Sequence, residues 1–212
     1  MGLAAKEMFM LFPTGLFTGK LPDITLCDRL EKKLYQMQKD GTGVTAKTTQ
    51  RSFMTPDNLQ TLPEFKELND VIMEESGNIL EIYRIKRDSH YISAMWANIT
   101  SPNRAHHTHT HPNCLLSGLL YVRTPQGCGQ TLFLSPRAFA NTISPDLLEK
   151  NQFNADSFVY PIEKGRMILW QAHMPHAVDI GNADDKEDRI VVAFNVNIRA
   201  KVNLLTAKGE FA

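Results

Sequence analysis

Apolar residues follow two different rhythms along this chain. In two segments of the first ninety residues they recur every three to four positions, the period of a helix with one buried face. Pro22 and Asp23 read as a helix start, Leu26, Leu30, Leu34 and Met37 share a face, and Gly41 and Gly43 end the run. A second helix is predicted from Pro63, with Phe65, Leu68, Ile72, Ile79 and Ile82 along its stripe and Gly77 weakening its middle. Both stripes predict helices laid against a sheet.

From Tyr91 onward the runs shorten and turn β-rich. YISAMWANI, LLSGLLYV, TLFL, SFVYPI, RMILW and RIVVAFNVNI are separated by turn material such as SPN, TPQGCG, IEKG and GNADD. Six or more strands after two helices predict a mainly β fold, an antiparallel sandwich or barrel with helical support on one side. The stretch 136–154 is the longest irregular piece. Ser144-Pro145-Asp146 is expected to start a helical turn there, and the stretch to form a flap beside a site.

Length and composition add bounds. A chain of 212 residues fits a single domain over 1–212, with a helical support region at 1–90 and a β core at 91–199. Lys+Arg and Asp+Glu balance at 23 each, which leaves no nucleic-acid or membrane-surface footprint. Cys27, Cys114 and Cys128 are few, odd in number and far apart, as expected of reduced thiols in the cytoplasm. The N-terminus MGLAAKEMFMLF lacks the basic start of a signal peptide, and no apolar run reaches membrane-spanning length. Its apolar first dozen residues offer a surface that a second copy could cover, which makes a homodimer a candidate, although sequence alone does not fix the oligomeric state.

The candidate chemistry lies in the histidines. His106, His107, His109 and His111 fall within six positions, and His173 and His176 follow about sixty residues later. If Thr108 to His111 is extended, His109 and His111 share a face, His107 joins them and His106 points away. Two imidazoles on one face chelate an ion, and a third from a neighbouring strand completes one face of an octahedron. The other three positions then stay open, as in non-haem iron centres. His176 is the preferred third ligand because MILW before it reads as a strand, whereas His173 falls on the other side or in the bend at Pro175. A closed structural zinc site is disfavoured, with Cys114 the only nearby cysteine.

Arg189 opens RIVVAFNVNI, so Arg189, Val191, Ala193 and Asn195 share one face and Ile190, Val192 and Phe194 the other. An arginine facing an apolar interior needs a counter-anion, and its planar fork suits a carboxylate. The alternative is an exposed arginine paired with Asp185 or Asp188. Tyr121 either adds a second bond to the same anion or fills core.

These segments resemble the iron(II)- and 2-oxoglutarate-dependent oxygenases, and more narrowly their prolyl-hydroxylase-like branch of bacterial and phage proteins. The matching stretches are WANI (96–99), HTHPNCLLSGLLYV (109–122), LFLSPR (132–137), PIEKGRMILWQAHMPHAV (161–178) and RIVVAFN (189–195). The resemblance implies a double-stranded β-helix, the jelly-roll or cupin-like barrel. It implies His109 and His176 as Fe(II) ligands, Arg189 as the partner of the far carboxylate of 2-oxoglutarate, and Tyr121 as its assistant. The wider superfamily carries Asp or Glu two residues after the first histidine; here His111 stands there and is taken as the ligand.

Asn98 and Asn195 are expected either to bond the iron-bound carboxylate or the substrate, or to satisfy backbone groups of the barrel. The activity implied uses dioxygen and converts 2-oxoglutarate to succinate and CO2 while hydroxylating an unactivated C–H bond of a small-molecule or peptidyl substrate. Two alternatives stay open: a three-histidine cupin-type dioxygenase in which Arg189 grips the substrate, and a non-catalytic metal- or ligand-binding barrel.

Overall fold

The computed structural model describes Glu7 and residues 10–45, 52–101, 104–137, 145–181, 187–203 and 208–211. Strand β1 (Leu16–Lys20) precedes helix α1 (Thr25–Lys39), the short strands β2 (Val44–Thr45) and β3 (Ser52–Met54), and helix α2 (Lys66–Ile82). Then come β4 (Ser89–Thr100), β5 (His106–His109), β6 (Leu116–Arg123), β7 (Thr131–Leu134), β8 (Ser157–Tyr160) and β9 (Arg166–Gln171). β10 (His176–Val178), β11 (Arg189–Asn203) and β12 (Lys208–Phe211) complete the order.

The strands form two antiparallel sheets. One runs β1-β9-β6-β11-β4-β3-β2, with β12 added to β11, and the other runs β5-β10-β7-β8. Alternation along each strand decides what lies between them. On β11, Ile190, Val192, Phe194 and Val196 pack outward with Leu26, Leu30 and Leu34 of α1 and Leu68, Ile72 and Leu80 of α2. Val191 turns the other way and joins Leu119, Tyr121, Phe133, Tyr160, Ile168, Trp170 and Met174 between the sheets. The result is a double-stranded β-helix, as the resemblance implies, backed by the two helices that the periodicity predicts.

Gly118 shows how tight the junction is. It lies opposite Phe194, and a Cβ there would stand 2.4 Å from that ring's Cζ.

Several local expectations change. The second helix begins with a 3-10 turn at Pro63–Phe65, and its buried arc takes in Leu80 and leaves Ile82, its last residue, 65% exposed. Helix α2 runs unbroken through Gly77, where a Cβ would come within 3.3 Å of His90 Cε1; His90 Nε2 donates to the Met73 carbonyl at 2.8 Å. No helical turn begins at Pro145-Asp146; a single turn closes later, where the Ala155 N–H donates to the Asn151 carbonyl at 2.9 Å, and residues 138–144 of the expected flap lie outside the described residues. Strand β1 was not anticipated, because its short run LFTGK shows no alternation until β9 supplies a partner. Most of the apolar N-terminal dozen also lies outside the described residues; Met10, Leu11 and Phe12 are exposed. No described helix is long and apolar enough to cross a membrane.

Candidate metal centre

Strand register brings the two histidine clusters together. His109 closes β5 and His176 opens β10, and the two are paired directly across the ladder. His111 lies just past β5, where its backbone N–H donates to the Ala172 carbonyl at 3.0 Å and ties it to the β9–β10 turn. One ring nitrogen from each of His109, His111 and His176 lies within 4.8 Å of the others. Ring centroids stand 4.2 Å apart for His109 and His176, 5.2 Å for His109 and His111, and 5.1 Å for His111 and His176. Among the described residues this is the one group of metal-ligating side chains, and it holds no carboxylate.

The fourth histidine differs from expectation. His106, not His107, leans on His109, with ring centroids 4.5 Å apart. The cause is a bulge: His109 pairs with His176 and His106 with Val178, so three residues on one strand match two on the other. The extra residue reverses which side the earlier histidine faces.

Hydrogen bonds set the protonation of each ring. His109 Nδ1 faces the His107 carbonyl at 2.8 Å, His176 Nδ1 the Met174 carbonyl at 3.1 Å and His111 Nδ1 the Asn195 side-chain oxygen at 2.8 Å. These oxygens only accept, so the proton sits on Nδ1 and the Nε2 lone pair is left for a metal. His111 Nε2 is buried and has no hydrogen-bond partner. Burial holds the His176 pKa down at about 4 and lowers that of His111, so both rings stay neutral and ligand-competent.

Two tryptophans wall the group. Trp96 stacks on His111, and Trp170 meets His176 edge-on with centroids 4.8 Å apart.

Arg189 begins β11 and is 4% exposed. Its Nη2 donates to Thr131 Oγ1 at 3.4 Å, and the Tyr121 hydroxyl donates to the same oxygen at 2.7 Å. The guanidinium carbon stands 5.5 Å from the Tyr121 ring centre, and Nε has no partner. The neighbouring Asp188 takes the Tyr35 hydroxyl instead, at 3.5 Å, and Asp185 lies outside the described residues. Burial disfavours the charged guanidinium and lowers its pKa, yet arginine stays protonated. It is a buried cation with donor capacity to spare.

The anion seat and the imidazoles are one strand step apart. On the β7–β10 ladder Phe133 pairs with His176 and Thr131 with Val178. Two residues of strand cover about 7 Å. A short dicarboxylate spans that distance.

The asparagines are placed differently. Asn98 is half-buried on the inner face of β4, opposite Val191. Asn195 Oδ1 accepts from both His111 Nδ1 and Ser117 Oγ, so its carbonyl oxygen serves a histidine. Sequence reasoning gave no role to Ser117, Thr131, Trp96 or Trp170; only cross-strand register places them here. A separate cavity of about 570 Å³ lies between the loops 124–130 and 179–181, and none of the three histidines lines it.

Residues 94–195, which include nearly all of this machinery, match the family described as "Putative 2OG-Fe(II) oxygenase". No curated protein matches the chain. Among solved structures it is similar to a Pseudomonas putida prolyl-4-hydroxylase, at 14% identity and TM-score 0.62 over 88% of this chain and 94% of that one. It is similar to the non-heme alpha-ketoglutarate-dependent epimerase SnoN from nogalamycin biosynthesis, at 9% identity and TM-score 0.66 over 92% and 80%. HygX from Streptomyces hygroscopicus, solved with nickel and 2-oxoglutarate bound, aligns at 10% identity and TM-score 0.62 over 87% and 83%. At such identities the structural likeness is one of fold. Over residues 94–195 the chain therefore matches an iron(II)- and 2-oxoglutarate-dependent oxygenase family, and its fold is the one those enzymes share.

Proposed function

We propose that this oxygenase hydroxylates an unactivated C–H bond of a small-molecule or peptidyl substrate while converting 2-oxoglutarate to succinate and CO2. The observation that carries the reading is the combination of three Nε2 lone pairs at one locus with a buried, under-bonded Arg189 one strand step away. His109, His111 and His176 hold the metal, and the donor set fits it: three neutral imidazoles from one side leave open positions opposite. Iron(II), when bound, supplies the redox chemistry that couples dioxygen reduction to decarboxylation and substrate oxidation.

The chain's own residues do the rest. Arg189 and Tyr121 grip the far carboxylate, with Thr131 holding both in place. The all-imidazole set adds no negative charge, which strengthens the hold on an anionic cosubstrate. Asn98, on the same inner face, offers an amide to the near carboxylate or the substrate. Trp96, Trp170 and Phe133 exclude water around the rings. The fold neighbours include a prolyl hydroxylase and a HygX structure holding hygromycin B, which supports keeping both peptidyl and small-molecule substrates.

The test is calorimetric titration of 2-oxoglutarate into Mn²⁺-loaded protein, followed by succinate assay with iron and dioxygen. Binding that vanishes in His176→Ala and weakens at least tenfold in Arg189→Ala is expected. Among the described residues the ligand group holds no carboxylate, which favours one second reading, a three-histidine dioxygenase whose substrate carboxylate sits on Arg189. Metal binding without any 2-oxoglutarate binding would select it.

A further inference from the structure

An imidazole ligand has a problem that a carboxylate lacks. It has two nitrogens, and the proton must be kept off the one that meets the metal. For His109 and His176 the backbone solves this, because the carbonyls of His107 and Met174 are fixed acceptors. His111 alone faces a side-chain amide, that of Asn195. An amide can turn over.

Two self-consistent arrangements of this corner exist. In one, Asn195 Oδ1 accepts from His111 Nδ1–H and from the Ser117 hydroxyl, at 2.8 and 2.9 Å. In the other, Nδ2 donates to His111 Nδ1, which forces the proton onto Nε2 and removes His111 from the ligand set. The structure holds the first. Ser117 pairs directly with Asn195 across β6 and β11 and is fully buried, so its hydroxyl has little else to bond. Cys114 Sγ lies 3.7 Å from Ser117 Oγ and donates to the His111 carbonyl at 3.4 Å. A weak sulfur acceptor competes poorly with Oδ1 for the hydroxyl proton.

We propose that Asn195, held in orientation by Ser117, is a positioning residue that makes His111 a metal ligand by keeping its proton on Nδ1. The inference rests on reading the three histidines as a metal centre. It assigns Asn195 to the metal and not to the cosubstrate, and the two roles differ in measurable ways.

The experiment titrates Mn²⁺ alone, without 2-oxoglutarate, into wild type, Asn195→Leu, Asn195→Asp, Ser117→Ala and His176→Ala, each first checked for folding by circular dichroism. Asn195→Leu is expected to weaken Mn²⁺ binding about 10- to 100-fold. Ser117→Ala gives a smaller loss in the same direction. Asn195→Asp, whose carboxylate can only accept, binds at least as well as wild type. Ring-nitrogen NMR of the metal-free protein supplies a readout that a merely structural role would not move. In Asn195→Leu the His111 proton shifts to Nε2, while His109 and His176 keep theirs on Nδ1.

Wild-type Mn²⁺ affinity and an unchanged His111 tautomer in Asn195→Leu overturn the inference. Should that variant not fold, Ser117→Ala at full affinity beside a weakened Asn195→Asp overturns it equally. Mn²⁺ binding that survives His176→Ala brings down the metal-centre reading itself, so the two failures are distinguishable.

Discussion

Trp96 lies nearly flat on His111, with ring centroids 5.7 Å apart and planes 21° from parallel. The other tryptophan of the chain, Trp170, stands 4.8 Å from His176. Both indoles therefore report on the proposed ligands. Co²⁺ is expected to quench the intrinsic fluorescence saturably, with about half of the quenching lost in each of Trp96→Phe and Trp170→Phe. Unquenched emission under conditions where calorimetry detects bound Co²⁺ would place the metal elsewhere.

Acid should destabilise the metal-free protein through His176. Burial lowers its pKa from 6.5 to about 4, so between those values the unfolded chain binds a proton that the folded chain refuses. Stability therefore falls as pH drops through that window. The full cost, about 3 kcal/mol, is reached only below the folded value and is absent above the unfolded one. His106 and His111, also lowered by burial, act in the same direction. Thermal midpoints between pH 7 and 4.5 should fall less steeply in His176→Phe than in wild type. Parallel curves would show that His176 does not carry the effect.

Arg189 should be a liability until its anion arrives. A buried cation with an unpartnered Nε costs stability that an apolar residue of similar length does not. Arg189→Met is expected to leave the thermal midpoint of the ligand-free protein unchanged or higher, and to abolish its rise on adding 2-oxoglutarate with Mn²⁺. Arg189→Lys keeps the charge but loses the fork, and should recover only part of that rise. A large loss of ligand-free stability in Arg189→Met would mean that the arginine is already satisfied.

Gly118 tests the packing beneath the site. A Cβ there meets Phe194 Cζ at 2.4 Å and the Ile168 carbonyl oxygen at 2.8 Å, whereas one at Gly19 meets nothing within 4 Å. Gly118→Ala should lose about 1–3 kcal/mol by urea denaturation, with Gly19→Ala near neutral. Ser117 is the adjacent residue, so weakened Mn²⁺ binding in Gly118→Ala is expected as well.

Periodicity made much of this legible beforehand. The alternation in RIVVAFNVNI separates Arg189 and Asn195 from Ile190, Val192 and Phe194, because a strand between a helical layer and a barrel interior must sort its side chains by face. The stripe Leu26, Leu30, Leu34 marks α1 for the same reason. What periodicity does not carry is register between strands distant in sequence. That His106 and not His107 leans on His109 follows from how β5 meets β10, and nothing within the run HHTHTH states it. Asn195 likewise reads as an inward polar residue in sequence. Only its place opposite Ser117 shows which of its two amide atoms is in use.

The offset between β5 and β10 also makes spacing, not only residue identity, part of what the centre requires. Exchanging Thr108 for another residue alters one exposed side chain. Deleting it would let the ladder slide back into step and turn a different imidazole inward. Length in this segment is therefore under a stricter constraint than spelling.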